Sequence, residues 1–210
     1  MKPDYSQNGE QAVILDTLKA IGIERGHLVD LGAGDGVTMS NSRALWDAGW
    51  SGLRVDGNGD NGVLVAWITT EWIKRFYSKP PSTGHLNIDF VTIDLDGNDY
   101  HILDTLLGYI TPSLIVAEIN PIFPRNDAKV MPYNEAHVWN GDQWYGMSFA
   151  ACEKLAERYG YVVMHLHKSL NAFLLRKDHA EKHPELLRPI EYVRKFDHPP
   201  HPKDKQWLTL

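Results

Sequence analysis

A chain of 210 residues is long enough for one full domain, and 43% hydrophobic with 23% charged residues is typical of a globular protein. The net charge of −6 argues against a protein that coats nucleic acid, because phosphate binding needs a clustered basic surface. The single cysteine, Cys152, and the lack of a signal peptide or an apolar run of membrane-spanning length lead us to expect a soluble, cytoplasmic protein.

The first quarter of the chain alternates helical stretches with short apolar runs, the pattern of a largely parallel sheet with crossover helices. Residues 9–22 have the apolar spacing of a helix that stops at Gly22. The segments expected next are a strand at 27–36 that runs into a glycine-rich turn, a helix at 40–49 and a second strand at 52–58.

The segment "NGVLVAWITTEWIKRFYS" has two interpretations: a strand at 63–68 followed by a helix at about 70–77, or one continuous helix. The β-branched residues favour the strand. The link to the previous strand is shorter than the dozen or so residues that a parallel crossover needs, so both interpretations stay open. A plain loop is predicted at 79–84.

The second half shows the same alternation more clearly. The predicted elements are a strand at 89–95, a helix at 100–108, a strand at 113–120, a helix at 147–160 and a terminal hairpin at 161–168 and 171–178. Residues 179–210, rich in His, Pro and Lys, show weak periodicity. We therefore expect one domain at 1–178 and an extended tail or partner-binding arm at 179–210.

The sequence "VDLGAGDG" has the features of a ligand-binding turn, because its glycines permit close backbone approach to an anionic or dipolar ligand. Its spacing is G-x-G-x-G with Asp30 before the first glycine, whereas a dinucleotide fingerprint reads GxGxxG. A carboxylate beside pyrophosphate is unfavourable, but an acid can hold the ammonium group of a sulfonium cofactor. Asp56 ends the next strand, at the position that accepts hydrogen bonds from ribose hydroxyls. An ordinary strand-to-helix turn is the alternative.

The motif "LVDLGAGDG" resembles the first motif of the class I S-adenosylmethionine-dependent methyltransferases, and "GLRVDGN" resembles their second. The segments "YSQNGEQAVI", "FVTIDLDGNDYHILDTLL" and "NAFLLRK" are similar to those of the FkbM-like members. The resemblance covers residues 5–178 and implies an α/β Rossmann-like methyltransferase fold. Such a fold has a mostly parallel twisted sheet with an antiparallel terminal strand and helices on both faces.

The resemblance also implies S-adenosylmethionine as cofactor and O-methylation of a small polar acceptor, such as a sugar or a natural-product hydroxyl. The cofactor-binding residues that it implies are Asp30, Gly32, Ala33, Gly34, Asp35, Gly36 and Asp56. Gln7 and Glu10 are further candidates, in an amino-terminal helix that either folds over the cofactor or is a plain surface helix. Whether the protein is a homo-oligomer stays open.

Acidic residues follow two strands that are neighbours in the resembled fold. Asp94 and Asp96 project to one side of the chain, as do Glu118 and Asn120. Four oxygen-bearing side chains would therefore converge where such sheets bind ligands, a set suited to Mg²⁺, which could lower the pKa of a substrate hydroxyl. In a metal-free alternative, Asp94, Glu118 or His137 removes the proton as general base. Asp99 is expected to cap the helix that begins at Tyr100.

Aromatic residues in "VWNGDQWYG" are expected to close the acceptor side, with Trp139, Trp144 and Tyr145 as substrate-binding residues, although packing under a long loop is the alternative. The alternating His165 and His167 are interpreted as structural, because zinc needs further ligands. Two other functions remain open: an NAD- or nucleotide-sugar-binding Rossmann enzyme, and a non-catalytic nucleotide-binding module.

Overall fold

The computed structural model describes residues 3–78 and 87–210, so the loop predicted at 79–84 lies outside the described residues. The elements up to residue 107 are α1 (Glu10–Ala20), β1 (His27–Leu31), α2 (Arg43–Asp47), β2 (Ser51–Asp56), β3 (Leu64–Val65), α3 (Thr70–Tyr77), β4 (Phe90–Ile93) and α4 (Asp99–Leu107). Those that follow are β5 (Leu114–Glu118), β6 (Lys129–Val130), α5 (Phe149–Arg158), β7 (Tyr161–His167), β8 (Asn171–Arg176), α6 (Lys177–Lys182) and β9 (Leu208–Thr209).

Seven strands form one mixed sheet in the order β3-β2-β1-β4-β5-β8-β7, which confirms the predicted α/β class and mostly parallel sheet. Strands β3, β2, β1, β4 and β5 are parallel, and the hairpin of β7 and β8 adds to β5 with β8 antiparallel to it. The chain runs outward from β1 through β2 to β3, then returns to place β4 on the other side of β1. The carboxyl ends of β1 and β4 therefore meet at a topological switch point, where open α/β sheets bind ligands.

Successive side chains of a strand point to opposite faces of the sheet, and in β1, β4 and β5 nearly all of them are buried. Helices therefore cover both faces of the sheet. On one face, Leu28, Phe90 and Phe173 pack against α1, α2 and α6. On the other, Val29, Val91 and other strand residues pack against α3, α4 and α5. Each fully buried side chain of this size contributes about 1.5–3 kcal/mol relative to an exposed one, so the two layers hold the strand ends in fixed positions.

The segment after β2 is a short strand followed by a helix, and the continuous-helix interpretation is wrong. β3 pairs with the end of β2, and the Ala66 N–H donates to the Asp56 carbonyl at 2.9 Å. The short link is possible because β3 has only two residues and the chain turns back through positive φ at Asn61 and Gly62. The Thr69 hydroxyl accepts the Trp72 N–H at 3.0 Å and so caps α3.

The predicted tail, residues 179–210, is extended for most of its length after α6 and a 3₁₀ turn at Pro184–Leu186. It returns along the carboxyl edge of the sheet at β5 and β8, and ends in β9, which pairs with β6. The Trp207 ring lies 4.5 Å from the Trp144 ring, between centroids. This part of the chain therefore contacts the body over much of its length.

Among the helices that the structure describes, none combines the length and apolar character that crossing a membrane requires.

Candidate functional site

A cleft opens at the carboxyl ends of β1, β2 and β4, at the switch point of the sheet. The space inside it is about 670 Å³ when the part open to solvent is counted. Its lining residues come from four chain segments: Gly32; Asp56, Gly57 and Asn58; Ala66, Trp67 and Ile68; and Asp94, Leu95, Asp96, Asn98 and His137.

The glycine-rich turn forms one wall of the cleft, and its glycines serve different purposes. A Cβ on Gly32 would lie 1.7 Å from the Asp94 carbonyl oxygen, so only glycine allows the turns after β1 and β4 to touch. Gly36, with φ of +73°, lies against Val63 and Arg54. Gly34 has a φ of +54°. A Cβ added to it would have no neighbouring atom within 4 Å among the described residues, so there is open space beside its backbone.

Asp56, at the end of β2, is the acid of this turn that lines the cleft. Its Oδ2 accepts the Gly34 N–H at 2.9 Å, and its Oδ1 accepts the Asn58 N–H at 2.8 Å. Each carboxylate oxygen has a second lone pair, so Asp56 can accept further hydrogen bonds from a ligand. The predicted position of Asp56 beside the turn is therefore confirmed.

Asp30 lies beneath the turn rather than on the cleft surface. It is buried and accepts the Ser42 hydroxyl, and burial raises the pKa of Asp30 to about 6 against the opposing effects of that hydrogen bond and of Arg54. Arg54 is the in-register partner of Asp30 on β2, donates to the Gly36 carbonyl at 3.0 Å, and stacks 4.1 Å over the Trp46 ring. Arg54 was not predicted from the sequence, although a cation between Leu53 and Val55, at a buried strand position, is a signal for such a role.

The other predicted cofactor-binding residues do not line the cleft. Asp35 is exposed, and its carboxylate accepts the N–H groups of Val37 and Thr38 at 2.8 and 2.7 Å. Ala33 is buried and Gln7 is exposed on the surface. Glu10 is fully buried and accepts the Asn8 N–H and the Asn171 amide at 2.8 and 2.9 Å, so it joins the amino-terminal turn to β8.

Asp94, Asp96 and Glu118 form an acidic cluster at the ends of β4 and β5, as predicted. One carboxylate oxygen from each lies within 4.8 Å of the others. Asp96 adopts a positive φ of 51°, an uncommon conformation for a non-glycine residue, and this turn orients its side chain. The cluster adjoins the cleft through Asp94 and Asp96.

The cluster binds protons more readily than free carboxyl groups do. Burial, with the negative charges of Asp99 and Asp96, raises the pKa of Asp94 to about 8. Burial and the charge of Asp94 also hold the pKa of Glu118 well above its usual range. Asp94 is exposed to solvent in the cleft and Glu118 is half-buried, so contact with water weakens both effects. The pair shares a proton, because two adjacent carboxylates repel.

Asn120 is fully buried and contacts neighbouring backbone groups, and its role as a metal ligand stays a prediction. Its amide donates to the carbonyls of Gln143 and Tyr145 at 3.0 and 2.9 Å, and its oxygen is 3.3 Å from the Ile122 N–H. β5 ends at Glu118, so Asn120 lies beyond the regular alternation of the strand. The Glu118 Oε2 is buried and has no hydrogen-bond partner among the residues described.

Asp99 is not the helix cap that the sequence predicts. It is the first residue of α4, and Asn98 precedes the helix. Its fully buried carboxylate accepts the N–H groups of Leu95 and Gly97 at 2.8 and 2.9 Å. Asp99 therefore stabilises the turn that carries Asp94 and Asp96.

His137 reaches the cleft from the loop before the aromatic segment. Its Nε2 is 3.2 Å from the Asp96 carbonyl oxygen, which can only accept, so Nε2 carries the hydrogen and Nδ1 is the unprotonated nitrogen. Burial lowers the pKa of His137, which favours this neutral form. Asn98 and Asn134 exchange two hydrogen bonds, at 2.8 and 3.1 Å, and hold the loop in place.

The three aromatic residues predicted to bind substrate do not line the cleft. Trp144 and Tyr145 are buried, and Trp139 and Tyr145 pack against His198 of the tail. The aromatic side chain that does line the cleft is Trp67, which is 53% exposed and donates to the Glu135 carbonyl at 2.7 Å. A tryptophan just after an exposed edge strand was the available signal.

His165 and His167 lie away from the cleft, on β7. The His165 Nε2 is 3.2 Å from the His167 Nδ1, and the His167 Nε2 is 2.9 Å from the Asn8 carbonyl. These contacts agree with the structural role predicted for both residues.

No protein-family model matches the chain, and no curated protein matches it.

Substitution of two turn glycines should distinguish a steric clash from the cost of a left-handed backbone. We expect Gly32→Ala to destabilise the protein severely, because its Cβ would overlap the Asp94 carbonyl. Gly34→Ala has open space and should lower the free energy of unfolding by only about 1–2 kcal/mol, the cost of the left-handed backbone. Urea denaturation of both variants measures the difference, and equal stabilities would contradict the close contact.

The shared proton should make stability depend on pH. The folded state binds more protons than the unfolded state between the pKa of about 4 for a free carboxyl and the raised pKa of Asp94, about 8. The free energy of unfolding should therefore fall as pH rises through this window, by well under the roughly 1.4 kcal/mol per pH unit of one fully buried proton, because Asp94 is exposed to solvent in the cleft. We expect Asp94→Asn to reduce the slope and the exposed Asp16→Asn to leave it unchanged, measured by urea denaturation. Equal slopes for wild type and Asp94→Asn would disprove the shared proton.

Proposed function

We propose that the protein is an S-adenosylmethionine-dependent methyltransferase, with a Rossmann-like methyltransferase fold, that methylates a small polar acceptor at oxygen. The main support is the combination of a strand order β3-β2-β1-β4-β5-β8-β7 and a reversed β8 with a glycine-rich turn at the switch point. A large cleft begins at that turn and ends at a cluster of carboxyl groups. The arrangement provides a cofactor site next to a proton acceptor.

The residues present fit the proposed cofactor. Asp56 can accept hydrogen bonds from ribose hydroxyls while it holds the Gly34 N–H. The Trp67 ring lies against Gly57, where a Cβ would be 3.6 Å from it, and so offers an aromatic face next to Asp56. An aromatic face of this kind suits a planar base.

The charge of the cleft distinguishes this cofactor from NAD. Asp56 and Asp96 line the cleft, and the pair of Asp94 and Glu118 keeps one negative charge when it holds a single proton. These negative charges favour a cationic ligand over a pyrophosphate. S-adenosylmethionine has a sulfonium and an ammonium group. The acids therefore support binding of the methyl donor rather than of NAD or a nucleotide sugar. The acid pair that shares a proton also supports an enzyme, because a non-catalytic binding module does not need such a pair.

The acid pair gives the chain a way to accept the acceptor's proton. The bound cofactor would supply an electrophilic methyl group, and a hydroxyl oxygen attacks it more readily as its proton leaves. Asp94 and Glu118 share one proton, so one carboxylate oxygen of the pair is available to accept another. The His137 Nδ1 is the alternative base, on a side chain fixed by the Asp96 carbonyl. The rest of the site aligns the reactants for an in-line displacement.

The acidic cluster also fits a hard divalent cation such as Mg²⁺, which prefers carboxylate oxygens and retains several waters. Asp94, Asp96 and Glu118 would hold it, and the unpartnered Glu118 Oε2 is an oxygen that a cation would satisfy. The cation would replace the shared proton and lower the pKa of a substrate hydroxyl.

The cofactor assignment predicts selective ligand binding. S-adenosylhomocysteine should raise the melting temperature and bind measurably by calorimetry, and NAD should do neither. Asp56→Asn should weaken this binding about 10- to 100-fold, because a hydrogen bond to a charged group contributes about 1.5–3 kcal/mol. Asp60→Asn, the same change at an exposed residue outside the cleft lining, should bind normally. Stabilisation by NAD instead of S-adenosylhomocysteine would overturn the proposal.

The metal assignment predicts that Mg²⁺ raises the melting temperature and that EDTA reverses the effect. Glu118→Gln should abolish the response, because it removes a negative oxygen from the cluster. Glu135→Gln, at an exposed residue of the neighbouring loop, should keep it. If Mg²⁺ has no effect on the wild type, the metal-free mechanism remains.

A further inference from the structure

The cleft holds less space than a whole ligand of the proposed kind needs. Without the part that is open to solvent, its volume is about 180 Å³, whereas pockets that enclose a drug-sized ligand have about 300–1,000 Å³. S-adenosylmethionine joins a nucleoside to an amino acid and is a ligand of that size. At least one wall of the cleft must therefore move when such a ligand is enclosed.

The wall that can move is the loop 133–138, which we term the clamp loop. The turns after β1 and β4 cannot move separately, because the Asp94 N–H donates to the Leu31 carbonyl at 3.0 Å. The clamp loop contains no helix or strand, and five of its six residues are exposed. A segment with so few buried contacts opens at lower free energy than the sheet.

On the β4 side, the clamp loop is attached near both of its ends. Asn98 exchanges two hydrogen bonds with Asn134, at 2.8 and 3.1 Å, and the His137 Nε2 lies 3.2 Å from the Asp96 carbonyl. The missing side chain of Gly97 lets the His137 ring lie directly on this turn, where a Cβ would overlap it. The loop therefore stays attached to the turn after β4 when its other contacts break.

Two hydrogen bonds attach the clamp loop to the opposite wall, the segment after β3. The Trp67 indole N–H donates to the Glu135 carbonyl at 2.7 Å, and the Tyr133 hydroxyl accepts the Thr70 N–H at 3.2 Å. Thr70 is the first residue of α3, so its N–H has no acceptor within the helix. Trp67 is 53% exposed, so water can replace the Glu135 carbonyl when this bond breaks. The clamp loop therefore opens and closes against this wall through very few contacts.

We propose that the Trp67 indole N–H is a latch between the two walls: the latch opens to admit a nucleoside ligand and closes when the planar base of the ligand lies against the Trp67 ring. The inference rests on the proposed function, which assigns the ribose to Asp56 and the planar base to the aromatic face beside Gly57. The clamp loop also carries His137, which lines the cleft. Closure of the latch therefore positions the Trp67 ring and the His137 imidazole together.

Ligand-binding rates test the latch, with S-adenosylhomocysteine as the probe. Trp67→Phe keeps an aromatic ring and removes the indole N–H. Because the latch is closed both with and without the ligand, a weaker latch should raise the association and dissociation rate constants by the same factor. We expect a rise of about two- to tenfold, the effect of one hydrogen bond, and a dissociation constant changed less than about threefold. Surface plasmon resonance measures both rates, and unchanged rates would overturn the latch.

A second variant separates the latch from stacking. Trp67→Leu removes both the N–H and the aromatic face. It should show the same faster association as Trp67→Phe but a further rise in the dissociation rate, because stacking stabilises only the bound state. If Trp67→Phe raises the dissociation rate alone, Trp67 only stacks on the ligand and the latch is disproved.

Matched variants test whether the effect belongs to this bond. Trp139→Phe removes an indole N–H that also donates to a carbonyl at 2.7 Å, that of Asp142, but outside the cleft lining. It should leave both rates unchanged. Tyr133→Phe removes the second bond across the cleft and should raise both rates as Trp67→Phe does. Equal acceleration by Trp139→Phe, or none by Tyr133→Phe, would contradict the latch.

Amide hydrogen exchange tests the latch without a ligand. The Thr70 N–H bonds across the cleft to Tyr133, whereas the Trp72 N–H bonds to the Thr69 hydroxyl, at 3.0 Å, on its own side. We expect Trp67→Phe to speed exchange of the Thr70 amide about two- to tenfold and to leave that of the Trp72 amide unchanged, as measured by NMR. Unchanged exchange at Thr70 would overturn the latch alone. Failure of S-adenosylhomocysteine to bind the wild type would instead overturn the proposed function, and the nucleoside ligand with it.

Discussion

The contact between Gly32 and the Asp94 carbonyl is the constraint on which the site depends. The Gly32 N–H donates to the Val55 carbonyl and the Asp94 N–H to the Leu31 carbonyl, each at 3.0 Å, so the ends of β1, β2 and β4 are bonded to one another. The missing side chain of Gly32 allows the turn after β4 to lie directly against the turn after β1. Asp56 and Asp94 consequently face the same cleft from the two strands that flank β1.

Beneath this contact the protein balances charges that would otherwise destabilise it. Arg54 is buried next to Asp30, and its guanidinium holds the carbonyls of Gly36 and Asn61. The acidic cluster has no such cation within hydrogen-bonding distance among the described residues, and it retains protons instead. The difference follows from position: Asp30 and Arg54 support the turn, whereas Asp94 lines the cleft and Glu118 lies next to it. Acids held close together without a cation are therefore a cost to stability that a functional site can explain.

The side of the cleft next to the glycine-rich turn could be predicted from sequence because it is encoded locally. "VDLGAGDG" and "GLRVDGN" each contain a strand, its turn and the acid that follows, and the structure brings Asp56 and Gly32 to one cleft. Alternation along β4 and β5 also located Asp94 and Glu118. The capping role of Asp99 was predicted wrongly, because its carboxylate turns back toward Leu95 and Gly97. This error arises at a helix end, where short-range rules stop applying.

The surroundings of the aromatic segment 138–146 could not be predicted because contacts between distant parts of the chain create them. Trp139, Trp144 and Tyr145 look like a pocket wall by composition, yet the tail covers them through His198 and Trp207, more than fifty residues later. The tail itself has no regular period that would reveal this path. Its attachments are hydrogen bonds, aromatic contacts and a two-residue strand rather than a buried apolar layer. Elements held in this way open at lower free energy than the sheet they cover. The cleft therefore depends on the core of the sheet, whereas the tail depends on contacts at the surface.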